Sequence, residues 1–145
     1  MSPATPPIDW QPLIEAARRV RERAYAPYSR FLVGAAVLGA GGSIHAGCNV
    51  ENRTFGVTVC AERVALTGAV AAGAGRPRAL AVITACDPPA PPCGLCLETM
   101  AELADPGLPI LLCNLDGARI ERCLEDFLPY PFRMPAESPA TRDGE

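Results

Sequence analysis

The first periodic segment of the chain follows Asp9, a residue whose side chain suits the N-cap of a helix. Apolar side chains then recur at the 3.6-residue spacing of one helix face, at Trp10, Leu13, Ile14, Ala17 and Val20. The opposite face carries mainly arginines, so one side of this helix is predicted to lie against a core.

Five shorter runs are rich in apolar and β-branched residues, which is typical of strands. They cover residues 32–38, 43–48, 79–85, 109–114 and 119–122. The first two runs flank the glycine-rich segment 39–42, so they are predicted to pair as a hairpin.

Two further helices and a final helical turn are predicted at residues 60–72, 94–104 and 124–128. The resulting order of helices and strands predicts an α/β domain whose mixed five-stranded sheet carries helices on both faces. Residues 1–8 are rich in proline and residues 134–145 are polar. We therefore expect flexible tails around one domain at residues 9–133.

The length and net charge of the chain limit the kinds of partner that we expect it to bind. At 145 residues it can bury one core without disulfides. Its net charge of −3 argues against binding along a polyanion, because nucleic-acid binders cluster Lys and Arg against phosphates. Its start lacks the regions of a secretory signal, and no run of about eighteen apolar residues indicates a membrane span. We expect a cytoplasmic protein that acts on a small neutral molecule, with no nucleic-acid or membrane partner.

The chain has seven cysteines, and in a reducing compartment these are expected as metal ligands, catalytic groups or buried thiols. Four of them lie within or beside apolar runs: Cys48, Cys86, Cys113 and Cys123. For these four we expect buried free thiols, since unpaired cysteine is among the most buried residue types.

The remaining cysteines occur in two short segments, Cys60-Ala61-Glu62 and Cys93-Gly94-Leu95-Cys96. Three thiolates leave a tetrahedral zinc ion with one open position, which distinguishes a catalytic zinc site from a structural one. Glu62 is two residues from Cys60, so its side chain is predicted to reach the open position without filling it. The pattern predicts one Zn²⁺ per chain, with Glu62 as a proton shuttle.

Both cysteine segments are predicted to lie where a loop enters a helix. Helix N-termini supply positive potential, which favours thiolate over thiol and offsets the charge of three sulfur anions. Arg63 follows Cys60 by three residues, and we expect it to donate hydrogen bonds to the ligand sulfurs.

Spacing alone leaves other interpretations open. Cys93 and Cys96 have the spacing of a thioredoxin-like redox pair, although the upstream cysteine would then have no role. A closed structural zinc site would take Cys48 or Cys86 as a fourth ligand. In either case Glu62 would be a solvated acid in a first helical turn.

Five segments together resemble blocks of the cytidine deaminases, in the family's order. They are residues 25–36 (YAPYSRFLVGAA), 47–52 (GCNVEN), 60–63 (CAER), 92–96 (PCGLC) and 128–132 (LPYPF). Zinc deaminases combine three protein ligands with a glutamate that is not a ligand, which is the pattern found here. The resemblance covers roughly residues 10–133. It implies a three-layer α/β/α sandwich that forms a homotetramer, with active sites completed across subunits.

The resemblance also implies how a nucleoside is bound. Phe31 would stack near the pyrimidine, and the backbone amide of Ala61 would contact the carbonyl oxygen of the base. Asn49 and Glu51 would hold the ribose hydroxyls, and residues two apart on an extended segment point the same way, which supports this pairing. Phe132 would pack against the base from a neighbouring subunit, although a core or interface phenylalanine would also fit this position.

The implied reaction is the hydrolytic deamination of cytidine and deoxycytidine in pyrimidine salvage. The products would be uridine or deoxyuridine and ammonia. Water would attack C4 of the ring, while Glu62 would move protons to N3 and to the departing amine.

One departure from the family lies just after the last ligand, where Leu97-Glu98 replaces the usual Arg-Gln. The change leaves more of the charge balance to Arg63, or it accompanies a different substrate. The alternative function is therefore a same-fold deaminase of another aminopyrimidine nucleoside, such as a blasticidin S-like or N4-modified cytidine. A non-catalytic zinc-binding module or a thioredoxin-like oxidoreductase would be a different class of protein, because neither requires Glu62.

Overall fold

The computed structural model describes residues 6–135, and within that range the helices and strands follow one another in the predicted order. Their bounds are α1 Trp10–Arg21, β1 Gly34–Leu38, β2 Ile44–Cys48, α2 Ala61–Ala71, β3 Ala79–Thr84, α3 Gly94–Leu103, β4 Pro109–Asn114, β5 Arg119–Cys123 and α4 Leu124–Phe127. A short 3-10 turn at Phe55–Val57 was not predicted. Most of the two predicted tails, residues 1–5 and 136–145, lies outside the described residues. No helix in the described range has the length and apolarity needed to cross a membrane.

The five strands form one mixed sheet in the order β2-β1-β3-β4-β5. Strands β3 and β4 are parallel, and the other neighbouring pairs are antiparallel. Every residue of β3 is buried, which explains its continuous apolar sequence, because helices cover both faces of the central strands.

Alternate residues of the central strands face two separate apolar clusters. Ala36 of β1 packs in the cluster formed with α1. Its neighbours Ala35 and Val37 pack in the cluster formed with α2 and α3 on the opposite face. This alternation is the two-residue period of a strand covered on both sides. The prediction of a three-layer α/β/α sandwich is confirmed.

Strand β1 begins two residues later than predicted, because side chains take the place of a strand partner there. The backbone N–H of Val33 donates to Asn49 Oδ1 at 2.8 Å. The carbonyl of Leu32 accepts from Arg21 Nε at 3.1 Å. These backbone groups are therefore satisfied without a ladder, although the sequence is as apolar as the strand that follows.

The expectation of burial for four cysteines is right for Cys113 and wrong for Cys48, Cys86 and Cys123, which are half-buried free thiols. Cys113 lies on the buried strand β4, whereas Cys48 and Cys123 end the edge strands β2 and β5. Cys86 lies in the loop after β3. Exposure follows from the position of each strand in the sheet, which apolar patterning does not reveal.

Helix α2 lies unusually close to β2 at Gly47. A Cβ atom at this position would be 2.5 Å from the backbone nitrogen of Ala65 and 2.8 Å from the carbonyl oxygen of Ala61. Both atoms belong to the helix backbone, so rotation of a side chain cannot relieve the contact. Gly47 therefore sets how closely the first turn of α2 approaches the sheet.

We predict that Gly47→Ala destabilises the protein by about 3 kcal/mol, the upper end of the usual cost of overpacking, because the obstructing atoms are backbone. The free energy of unfolding in urea measures the effect. Gly41→Ala is the matched control, since a Cβ atom there meets nothing within 4 Å. Equal losses in both variants would contradict this account.

Candidate active site

Three cysteine sulfurs meet where two helices begin. Cys60 is the N-cap of α2 and Cys93 is the N-cap of α3. Cys96 lies in the first turn of α3 and is fully buried. The Sγ atoms of Cys60 and Cys93 are 3.6 Å apart, and those of Cys93 and Cys96 are 3.5 Å apart. The prediction that both segments lie at helix N-termini is confirmed.

This spacing fits a tetrahedral metal ion. Zinc–sulfur bonds of about 2.3 Å place tetrahedral ligands about 3.8 Å apart, close to the observed separations. Within the described residues these three cysteines form the one group able to hold a metal, and their sulfurs all lie within 4.8 Å of one another. Cys48 and Cys86 are not part of it, so a closed four-cysteine site is excluded. The third sulfur also distinguishes the cluster from a two-cysteine redox pair.

The thiols of the cluster differ in acidity. A hydrogen bond from Cys96, aided by Arg63, lowers the pKa of Cys60 to about 5, although burial acts in the opposite direction. The pKa of Cys96 is raised, because its proton is held by Cys60 and because it is buried. Cys60 is therefore the first of the two to become the thiolate that a metal requires.

Arg63 contacts the cluster as predicted. Its Nη2 atom lies 3.9 Å from Cys60 Sγ and donates to the carbonyl of Thr58 at 3.0 Å. The contact with Cys60 raises the pKa of Arg63, so the guanidinium remains charged beside the sulfur. A fixed cation at this position offsets part of the negative charge of three thiolates.

Glu62 carries a buried carboxyl group next to the cluster. The residue is 5% exposed and lines the same cavity as Cys60 and Cys93. Burial raises the pKa of Glu62 above its usual value. A raised pKa favours the protonated form of a carboxyl group and makes its carboxylate a stronger base, and both properties serve general acid/base catalysis. Glu62 is thus not a solvated acid of a helix start.

A cavity of about 250 Å³ opens beside the sulfurs. It brings together most of the residues predicted for the site: Phe31, Asn49, Glu51, Cys60, Ala61, Glu62 and Cys93. Its volume lies just below the range of about 300–1,000 Å³ that is usual for small-molecule sites. None of the described residues that line it is Lys, Arg or His.

Phe132 does not lie in this cavity. It is 75% exposed and belongs to the segment that follows α4. The structure of one chain therefore leaves the predicted stacking of Phe132 on a base untested.

Asn49 and Glu51 reach the cavity from an extended segment centred on Val50. Val50 forms isolated bridges with Tyr25 on one side and with Val59 on the other. The backbone of this segment is thus fixed at both edges, and its two polar side chains point into the cavity, as their spacing predicts. Sequence reasoning missed Ser29, which also lines the cavity and whose partner Glu51 is 22 residues away.

The residues that depart from the family pattern lie outside the cavity. Leu97 packs in the apolar cluster beneath α2 and α3. Glu98 is exposed and lines a separate surface groove together with Arg63. Neither side chain borders the space beside Glu62 and the three sulfurs.

The fold and the site define a deaminase of the zinc-dependent class, and comparisons with known proteins agree. A family model described as the cytidine and deoxycytidylate deaminase zinc-binding region matches residues 9–111. The chain belongs to the cytidine deaminase family.

Relatives match along nearly their whole length. A cytidine deaminase from Halalkalibacterium halodurans is 45% identical over 125 residues, which cover 86% of this chain and 95% of that protein. The crystal structure of cytidine deaminase from Burkholderia pseudomallei superposes with a TM-score of 0.82 at 44% identity and covers 86% of this chain and 100% of that one. Cytidine deaminase from Mycobacterium tuberculosis gives a TM-score of 0.77 at 37% identity, with coverage of 88% and 100%.

We predict that Arg63→Ala weakens zinc binding by about 10- to 100-fold, the usual effect of removing a group that supports a metal ligand. Competition with a chromophoric chelator measures the affinity. Arg76→Ala is the control, because Arg76 forms an exposed ion pair with Asp105 away from the cluster. Unchanged zinc affinity in Arg63→Ala would show that the helix N-termini alone balance the thiolate charge.

Proposed function

We propose that this chain is a zinc-dependent enzyme that deaminates free cytosine nucleosides. Cytidine and deoxycytidine would yield uridine and deoxyuridine, with release of ammonia. The observation that carries the proposal is the buried carboxyl of Glu62, which shares one cavity with Cys60 and Cys93 of the three-cysteine group.

Cys60, Cys93 and Cys96 would hold the zinc. When bound, zinc lowers the pKa of a coordinated water to about 7 and so supplies a nucleophile at neutral pH. Glu62 would take one proton from the attacking water and pass it to N3 of the pyrimidine as the C4–O bond forms. It would then take the second proton from the new hydroxyl on C4 and pass it to the amine as the C4–N bond breaks, so that the two protons of one water end on N3 and on ammonia. Burial of this carboxyl supports both transfers, because its raised pKa lies closer to the working pH.

The cavity offers a separate surface to each part of a nucleoside. Phe31 provides an aromatic face for the base. The backbone N–H of Ala61, in the first turn of α2, has no partner within the helix and suits the carbonyl oxygen of the base. Asn49 and Glu51 would bind the sugar hydroxyls at the other end of the cavity.

Charge in the cavity supports a nucleoside rather than its phosphate. Two carboxylates, Glu51 and Glu62, line the cavity, and none of its described lining residues is basic. A phosphate group would meet like charge without a compensating cation. The free nucleoside is the substrate form that this lining accepts.

The position of Leu97 and Glu98 weighs against the alternative substrates. These two residues are the sequence feature that favours a blasticidin S-like or N4-modified cytidine, and neither lines the cavity. Leu97 instead contributes an apolar side chain to the core. The departure is therefore better explained by packing of α3 than by a change of substrate.

We further propose a cytoplasmic homotetramer that serves pyrimidine salvage. Large apolar side chains are exposed on the single chain, among them Phe55, Leu95, Tyr130 and Phe132. Packing between subunits would cover such side chains. The described cysteines are all free, which suits a reducing compartment.

We predict that Glu62→Gln retains zinc but loses about 10²- to 10⁴-fold in kcat, because the amide cannot carry the protons. Bound zinc per chain and the loss of cytidine absorbance are the two measurements. Glu15→Gln makes the same substitution at an exposed position of α1 and should leave both unchanged. If the zinc-loaded wild type turns over neither cytidine nor deoxycytidine, the substrate assignment is wrong and modified cytosines become the next panel.

We also predict that Phe132→Ala raises KM for cytidine by about tenfold through loss of aromatic stacking, while light scattering still reports a tetramer. Co-expression with Glu62→Gln chains tests whether the ring acts across subunits. Mixed assemblies would pair an intact Glu62 with Phe132 from a neighbour and would regain the low KM. If KM stays high in the mixtures, Phe132 serves its own chain.

A further inference from the structure

Ser29 makes two side-chain hydrogen bonds that link two parts of the cavity. Its hydroxyl donates to Glu51 Oε1. Ser29 Oγ also accepts a hydrogen bond from the backbone N–H of Phe31 at 3.0 Å. One hydroxyl thus joins the carboxylate at the sugar end to the residue that offers its ring to the base.

The carboxylate of Glu51 is held mainly by the segment that contains Ser29. The backbone N–H of Tyr28 donates to Glu51 Oε2 at 2.9 Å, and that of Ser29 donates to the same atom at 3.2 Å. These bonds, with the Ser29 hydroxyl first among them, lower the pKa of Glu51. The group is therefore an oriented carboxylate that accepts hydrogen bonds and donates none.

The peptide groups of Phe31 are fixed from two sides of the cavity. Ser29 Oγ binds the N–H of Phe31, and Asn49 Nδ2 donates to its carbonyl oxygen at 2.7 Å. The residue between Ser29 and Phe31 is Arg30. Its φ of +58° lies in the left-handed region, which residues other than glycine seldom adopt. The turn that brings Ser29 Oγ to the N–H of Phe31 therefore carries local backbone strain, which the hydrogen bonds retain.

We propose that Ser29 is a positioning residue that couples the sugar-binding carboxylate of Glu51 to the base-stacking ring of Phe31 and thereby sets nucleoside affinity. The proposal rests on the function proposed above. Ser29 Oγ bonds to the carboxylate of Glu51 and to the backbone N–H of Phe31, and within the described residues it makes no hydrogen bond to Glu62. It acts mostly through Glu51, because a hydrogen bond to a charged group is stronger than one between neutral groups.

Ser29→Ala should raise KM for cytidine by about tenfold and change kcat by less than about threefold, since it removes binding that ground state and transition state share. With 2′,3′-dideoxycytidine, which offers no 2′- or 3′-hydroxyl to Glu51, the KM ratio of variant to wild type should fall to about three or less. Ser29→Thr keeps the hydroxyl and should restore most of the affinity. Ser43→Ala is the matched control, because Ser43 Oγ bonds His45 Nε2 at 2.9 Å on the distant hairpin.

A double-mutant cycle separates positioning from simple support of the loop. If Ser29 acts through Glu51, Ser29→Ala combined with Glu51→Gln should bind cytidine no more weakly than Glu51→Gln alone. Additive losses, or an equal rise in KM for both nucleosides, would overturn the proposal. Should Ser29→Ala not fold, Ser29→Cys provides a weaker donor, and its KM for cytidine should rise by about threefold; an unchanged KM would also overturn it.

Activity of the wild-type enzyme separates failure of the proposed function from failure of the coupling by Ser29. If wild-type enzyme with zinc fails to deaminate cytidine, the proposed function is wrong. If it deaminates cytidine and the Ser29 variants behave like Ser43→Ala, the proposed function stands and the coupling by Ser29 is wrong.

Discussion

Three cysteine sulfurs within 4.8 Å of one another are the constraint around which this domain is arranged, because holding a metal requires them as thiolates. Such a cluster of negative charge needs compensation that does not fill the open coordination position. The protein supplies it by starting two helices at the cluster and by fixing Arg63 beside Cys60. Because α2 and α3 pack side by side on one sheet face, the three sulfurs and Glu62 are held by helices that belong to the buried core. The close approach of α2 at Gly47 sets the position of one of these two helix starts.

The residues that line the cavity come from two kinds of structure. The sulfur ligands and the carboxyl of Glu62, the proposed proton carrier, come from helix starts, whose backbone is held by the helix and by the core. The proposed nucleoside contacts come from the loop before β1 and from the segment around Val50, which are held by side-chain bonds and isolated bridges. Small changes in these bonds would therefore alter the affinity for the nucleoside. They would leave the position of the sulfurs and of Glu62 unchanged.

Much of this arrangement could be predicted from the sequence, because it depends on local signals. Apolar period, glycine turns and helix caps predict the elements, and the cysteine spacing predicts the ligands with Glu62 beside them. What could not be predicted depends on contacts between distant segments. The partner of Ser29 lies 22 residues away, and the burial of Cys48 and Cys123 depends on a strand order that the sequence does not display. The start of β1 could not be predicted for the same reason, since the side chain of Asn49 takes the place of a strand partner at Val33.

The side chain of Asn49 has two roles, one in holding the backbone and one in the proposed sugar site. Its amide oxygen and nitrogen bind the backbone of Val33 and Phe31, much as a neighbouring strand would, while the residue also faces the proposed sugar site. An aspartate would turn the donor toward the Phe31 carbonyl into a second acceptor, and a shorter residue would leave the backbone groups of Val33 and Phe31 without this partner. Binding and folding cannot be altered separately at this position. A redesign for a different sugar would have to change residues whose side chains do not also hold the backbone. Asn49 would be kept in every such variant.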